Sequence, residues 1–154
     1  MSVLLARDII SGQEGTATLN IDGNVETMFY LKNLEAKVDK NKEAVRTIGK
    51  RGEQQKANGF SGTGSMTIFY ITSRFRQMML DYIKNGIDYY FTITVTNDDP
   101  ASSAGVQTTV LYNCNIDSVV MALLDVDTNS LEEDVSFTFD DVDILDSFNR
   151  PSNM

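Results

Sequence analysis

The stretch Glu132-Glu133-Asp134-Val135-Ser136-Phe137-Thr138-Phe139 decides the fold. Val135, Phe137 and Phe139 take the odd positions, while Glu132, Asp134, Ser136 and Thr138 take the even ones. A period of two is the pleat of a β-strand, which sends alternate side chains to opposite faces. Leaving a large apolar side chain in water costs roughly 1.5–3 kcal/mol, so the odd row must point into a core. The even row then faces water. The alternation changes phase at Asp140-Asp141, so the strand is expected to continue to Leu145 past a bulge.

The same reading extends upstream. Thr16–Ile21 alternates, with Thr16, Thr18 and Asn20 opposite Ala17, Leu19 and Ile21, and Asp22-Gly23-Asn24 is a hairpin turn. A second strand is expected from about Val25 to Val38, with a change of phase near Tyr30. In it Asn33, Glu35 and Lys37 oppose Leu34, Ala36 and Val38. Gly64–Ile71 is a third strand, where Ser65 and Thr67 oppose Met66, Ile68 and Tyr70. Asp88–Thr96 alternates and is rich in β-formers, and Val106–Leu124 reads as one long strand or a bent pair. One helix interrupts the series. Phe75, Met78, Met79, Tyr82 and Ile83 form a stripe at helical spacing, with Thr72 or Ser73 as cap and Gly86 at the C′ position. Arg74 and Arg76 sit at the N-terminal end, where cations oppose the helix dipole, so an acidic partner is expected, supplied by another copy. The sum is a mainly antiparallel β chain with one α-helix.

Asp39–Phe60 is polar, punctuated by Gly49, Gly52 and Gly59, and shows no clean period. It reads as a long loop that is mobile in the free subunit. Charge is concentrated there. Residues 37–56 hold seven bases and three acids, a local +4 in a chain of net charge −9. Residues 125–146 hold nine acids and no base. Two solvated surfaces, an internal contact and a self-complementary assembly all fit this split. Complementary patches steer association and fix register.

Composition removes several chemistries. At 154 residues the chain suits one domain with a sizeable core. There is no His, so Ser-His-Asp triads, Cys-His dyads and histidine metal sites are excluded. Cys114 is the single cysteine, which excludes an internal disulfide and a cysteine zinc cluster. No apolar run reaches about 18 residues, so no membrane-spanning helix is expected, and the N-terminal residues do not read as a signal peptide. A strongly acidic chain disfavours duplex DNA as a ligand. Asp125-Val126-Asp127-Thr128-Asn129 resembles the start of a calcium loop, but Ser130 and Ser136 stand where the loop needs Gly and a carboxylate, so it reads as a turn. Asp140, Asp141 and Asp143 have the chemistry of an acid-base pair but read as an acidic edge. Gly59–Gly64 lacks the Lys-Ser/Thr ending of a phosphate loop. No catalytic residue, metal ligand or cofactor is expected.

Several segments, read in order, resemble one family. They are Ile10–Gly15, Asn41–Val45, Asn58–Gly64, Thr72–Phe75, Asp81–Gly86, Tyr90–Thr92, Leu123–Asp127 and Leu131–Asp141. The family is the tail tube proteins of contractile phage tails and phage-tail-like bacteriocins (tailocins), in particular those like the tube protein of the phage-like element PBSX. The resemblance implies two packed antiparallel β-sheets with one helix, similar to type VI secretion tubes. Residues 1–154 would be a single tube domain, with an N-terminal arm 1–15, the loop at about 39–60 and a loose tail 147–154.

The resemblance also implies a structural subunit in hexameric rings, stacked into a hollow tube that a contracting sheath drives through a cell envelope. Implied partners are further copies, the sheath, a baseplate or tube initiator, a tail terminator, and a tape measure protein in the lumen. Specific nucleic-acid binding and membrane insertion are not implied. Assembly in the host bacterial cytoplasm and residence in a virion or tailocin tail follow. In this frame Lys40, Lys42, Arg46, Lys50 and Arg51 are candidate contacts to a neighbouring subunit. Glu132, Asp134, Ser136, Thr138, Ser65, Thr67, Asn33 and Glu35 are lumen candidates, although the outer surface beneath the sheath is an equally wet face. An acidic lumen would repel a DNA backbone or pass cations. A monomeric β-domain that binds an adaptor or a cationic ligand, and a carboxylate hydrolase, are the competing classes.

Overall fold

The computed structural model describes residues 3–149. After a 3-10 turn at Ala6–Asp8 come β1 (Gly15–Ile21), β2 (Asn24–Thr27), β3 (Leu31–Val45), β4 (Gln54–Phe69), α1 (Arg74–Asn85), β5 (Phe91–Asp98), β6 (Val106–Ser118), β7 (Glu132–Phe139) and β8 (Asp141–Asp146). The strand order is β2-β1-β5-β6-β7-β4-β3, with β8 also on β6, and every pairing is antiparallel. The fold class read from the sequence therefore stands.

The expected two sheets are two halves of one hydrogen-bonded path. β6 joins them. Its first part, through Cys114, pairs with β5 and β8, and Asn115–Ser118 pairs with β7. The halves share one core, drawn from Leu19 and Ile93 on one side and from Met66, Ile68, Val135 and Phe137 on the other, all at most 1 % exposed. Phe75 from α1 completes it, 6.5 Å from the Phe91 ring.

The turn between β1 and β2 is Asp22-Gly23, with φ of 51° and 85°. Positive φ at both central residues is the backbone of the two-residue hairpin turn that matches strand twist. The phase change near Tyr30 is a break rather than a bulge. At 28–30 the chain crosses between the two halves: Met28 N–H donates to Ala17 O (2.9 Å), and Phe69 N–H donates to Tyr30 O (2.9 Å). The phase change at Asp140 is a second crossing, after which β8 pairs with β6 and not with β4. β5 begins at Phe91, later than expected, and β6 ends at Ser118, before the expected Leu124.

The reading of Asp39–Phe60 as a loop is overturned. β3 and β4 pair in an unbroken ladder from Leu34↔Met66 to Asn41↔Gly59, then past one bulge to Val45↔Gln54. Only residues 46–53 turn. Every residue from Glu35 to Val45 is exposed, so this is a hairpin arm standing away from the core. With both faces wet, neither needs an apolar row, and the period-two signal vanishes while backbone pairing remains.

The helix stripe is also shorter than expected. Phe75 and Met78 are buried, but Tyr82 and Ile83 are 55 % and 60 % exposed, so the last turn overhangs the core. Ser73 is the N-cap residue without a side-chain bond, and Thr72 Oγ1 accepts from Arg74 N–H (3.3 Å) instead. Gly86 closes the helix at φ 68°.

Residues ahead of β1 are clasped to the loop after β5. Ser11 N–H donates to Asp99 Oδ2 (2.8 Å), Ser103 N–H donates to Arg7 O (2.9 Å), and the Ser103 hydroxyl meets the buried Asp8 carboxylate. Most of the expected loose tail lies outside the described residues. Within them, Asn149 N–H donates to Ala104 O (2.6 Å).

Candidate assembly surfaces

The lumen candidates come together on one face of the second half-sheet. Directly opposed residues share a face, and the register gives Asn33↔Thr67↔Asp134, Glu35↔Ser65↔Ser136 and Lys37↔Thr63↔Thr138. Glu132 lies opposite Phe69 in the same row. β6 extends the face through Asn115↔Thr138 and Ser118↔Ser136. The rows are cross-linked: Thr67 Oγ1 donates to Asp134 Oδ1 (2.6 Å), the Ser118 and Ser136 hydroxyls meet at 2.5 Å, and Lys32 Nζ pairs with Glu132 Oε1 (2.7 Å). All eight residues thus share one face across β3, β4 and β7, polar except at Phe69. It is less acidic than expected, because Lys32 and Lys37 stand among Glu35, Glu132 and Asp134.

Gly62 and Gly64 oppose Phe139 and Phe137 on the core side. A Cβ on Gly64 would lie 2.3 Å from the Phe137 ring, and one on Gly62 would lie 2.5 Å from the Phe139 ring. The rings rest where side chains would be. Gly62 and Gly64 therefore serve packing within a strand, while Gly59 stands at the bulge with φ of 149°.

The five candidate contact cations all lie on the β3–β4 arm and are exposed. Lys40 and Lys42 follow Leu34, Ala36 and Val38 along the core-side row of β3 as it leaves the core. Arg46 is already used within the chain, donating to Glu53 Oε1 from Nε and Nη2 (3.2 and 3.0 Å). Lys50 and Arg51 sit at the tip. β8 is exposed along its whole length, with Asp141, Asp143 and Asp146 beside Val142 and Ile144.

The expectation that another copy compensates Arg74 and Arg76 is overturned. Arg74 pairs with Glu26 of β2, which also accepts from Tyr30 O–H (2.7 Å). Arg76 donates to Glu133 Oε2 (2.5 Å) and to Thr72 O, and stacks 4.3 Å from the Tyr70 ring centroid. Glu133 is 2 % exposed, and its Oε1 is buried with no hydrogen-bond partner. Burial pushes its carboxyl above the usual range, against the pull of Arg76. Sequence reading passed over Glu133, although a signal was present: it occupies the odd, core-facing row of the β7 pattern, where a charge requires a partner.

The acidic turn behaves as a turn. Asp125 Oδ1 accepts from Asp127 N–H (3.0 Å) and Oδ2 from Thr128 O–H (2.7 Å), bonds that hold its carboxyl below the ordinary range. Asp140 is held by Asn113 Nδ2 at 2.9 and 3.1 Å.

A β-rich scaffold with strand edges unpaired among the described residues, one largely polar face and a projecting hairpin is the description of an assembling structural protein. The chain belongs to the phage tail tube protein family, whose model matches residues 2–146, and it is a tail tube structural subunit. It is 45 % identical over 141 residues to the phage-like element PBSX protein XkdM of Bacillus subtilis strain 168, covering 92 % of this chain and 93 % of that one. Its fold is similar to a chain in the anti-feeding prophage tube-terminating cap (TM-score 0.70, 12 % identity, 94 % and 96 % covered). It is also similar to one in the PVC extracellular contractile injection system sheath-tube complex, extended state (TM-score 0.67, 12 % identity, 90 % and 93 % covered).

Proposed function

We propose that this subunit closes into hexameric rings which stack into a hollow tube, with the polar face of β3, β4 and β7 lining the lumen. The carrying observation is that face. It holds all eight polar candidates in register, and both of its lateral edges, β3 and the second part of β6, carry no strand on their outer side among the described residues. Open edges invite pairing with another chain, and closure into a barrel removes them. A head-to-tail interface of this kind forms a ring when its rotation closes, and stacking then continues as a filament.

The role is structural and not catalytic. A contractile sheath surrounds the tube, a baseplate initiator starts it, a terminator ends it, and a tape measure protein occupies the lumen during assembly in the bacterial cytoplasm. The finished tube resides in a virion or tailocin tail. The mixed polar lining passes its cargo without holding it, since no phosphate-binding cluster of bases is present on the face. The β3–β4 arm reaches a neighbouring copy.

Native mass spectrometry and electron microscopy of concentrated protein test the reading. Six-membered species and hollow tubes are expected, with Asp134, Ser136 and Thr138 facing the lumen in a map. Lys50→Glu with Arg51→Glu should impair tube growth and leave subunit stability unchanged. A protein that stays monomeric with and without its initiator, or a map with those three residues outward, would overturn the proposal.

A further inference from the structure

A cavity of about 210 Å³ opens between α1 and β6. Met78, Met79 and Ile116 give it an apolar floor, and Tyr89 forms a wall. Tyr89 O–H donates to Asp81 Oδ2 (3.0 Å), and Asn115 Nδ2 donates to Asp88 Oδ1 (2.7 Å), so the polar parts of the site are tied in place. Among the described residues, its charged lining residues are Asp88 and Asp117, both exposed. An apolar floor beneath two carboxylates is a site for a group that is greasy and cationic at once.

The tip of the β3–β4 arm has that composition. Ile48 is 106 % exposed, a large aliphatic group held entirely in water, and Lys50 and Arg51 follow it. The tip is built and not loose. Arg46 pairs with Glu53 across its base, Gln54 Nε2 donates to Thr47 Oγ1 (3.0 Å), and Gly49 turns the chain at φ 88°. The exposed run Glu35–Val45 rises roughly 35 Å at the pitch of an extended strand, which carries the tip away from its own core.

We propose that the arm tip of one copy docks into the α1–β6 cavity of another, with Ile48 on Met78, Met79 and Ile116 and with Lys50 and Arg51 facing Asp88 and Asp117. The occupant is a second copy of this chain, because the complementary charge and the matching apolar group both occur in this sequence. The inference rests on the tube reading and specifies which surface receives the arm. A preorganised tip loses little conformational freedom on docking, and the charge pairs fix its register.

Ile48→Cys combined with Asp117→Cys tests it in assembled tubes under mild oxidation. Cys114 is fully buried and stays silent. A non-reducing gel should show a ladder of linked subunits for the double variant and none for either single variant. In parallel, Asp88→Lys with Asp117→Lys should raise the concentration needed for tube growth at least tenfold. Adding Lys50→Glu and Arg51→Glu to that variant should restore growth in part, with urea unfolding verifying that each subunit remains folded. Tubes that form normally but give no ladder, or that grow unchanged with both aspartates reversed, overturn the docking site and leave the tube reading intact. If the unaltered chain never forms rings or tubes, the tube reading fails and the docking site fails with it.

Discussion

Replacing Gly64 by Ala is the sharpest test of how the half-sheet is packed. The backbone there is ordinary, so alanine gains roughly 0.5–1 kcal/mol by restricting the unfolded chain. Against this, the new Cβ would lie 2.3, 2.6 and 2.9 Å from three atoms of the Phe137 ring. That ring is 1 % exposed and lies 6.5 Å from the Phe139 ring, which rests on Gly62 in the same way. It has no free direction in which to retreat. Overpacking of this kind costs about 1–3 kcal/mol, and expulsion of the ring would cost more. The expected net loss is about 1 kcal/mol, or roughly 2–4 °C in Tm for a chain of this size. Urea unfolding of the unassembled subunit measures it. Phe137→Leu shortens the side chain, so the double variant should be more stable than the sum of the two single effects predicts, by about 1 kcal/mol. Gly12→Ala is the control, since a Cβ there meets nothing within 4 Å, and it should stay within about 0.5 kcal/mol of the parent. A neutral Gly64→Ala, or strict additivity with Phe137→Leu, would refute the reasoning.

Other outcomes follow from the buried polar groups. Arg76→Met leaves the buried Glu133 carboxylate without its cation and should cost about 3 kcal/mol in urea unfolding at about pH 7. Because burial raises the Glu133 carboxyl, the folded state keeps that proton longer than the unfolded state does, so this group's contribution falls as pH rises from about 4.5; removing Arg76, whose charge opposes the shift, should steepen that slope. Burial pushes the Cys114 thiol up to about 12, so a thiol reagent at pH 8 should label it only on unfolding. Above pH 9 the unfolded thiol ionises first, and Cys114→Ala should flatten the resulting loss of stability. Asp99→Ala removes the acceptor for Ser11 and Ala101 N–H; limited proteolysis should then cut ahead of β1 sooner, with a stability loss of about 1–2 kcal/mol.

Some of this molecule was legible in its sequence for a plain reason. A strand buried on one face writes its burial as alternation, so β7, β1 and the second half of β4 were readable residue by residue, as was the Asp22-Gly23 turn. The same alternation found Asn33, Glu35, Ser65, Thr67 and the even row of β7, because a wet face opposite a core leaves polar side chains at every second position.

The arm was illegible for the converse reason. From Glu35 to Val45 both faces are wet, so its pairing rests on backbone hydrogen bonds that leave no apolar period. Long-range partners were likewise hidden. Glu133 stands 57 residues from Arg76, and Glu26 reaches Arg74 only after the chain crosses between half-sheets at 28–30. The phase breaks at Tyr30 and Asp140 marked where the chain changes direction but not where it goes. The sequence by itself determined the alternation of dry and wet positions along β1, β7 and the second half of β4, because a strand with one face on a core records that face in every second residue. The tertiary structure decided which dry and wet rows are neighbours, because register joins residues whose separation along the chain carries no trace of their contact.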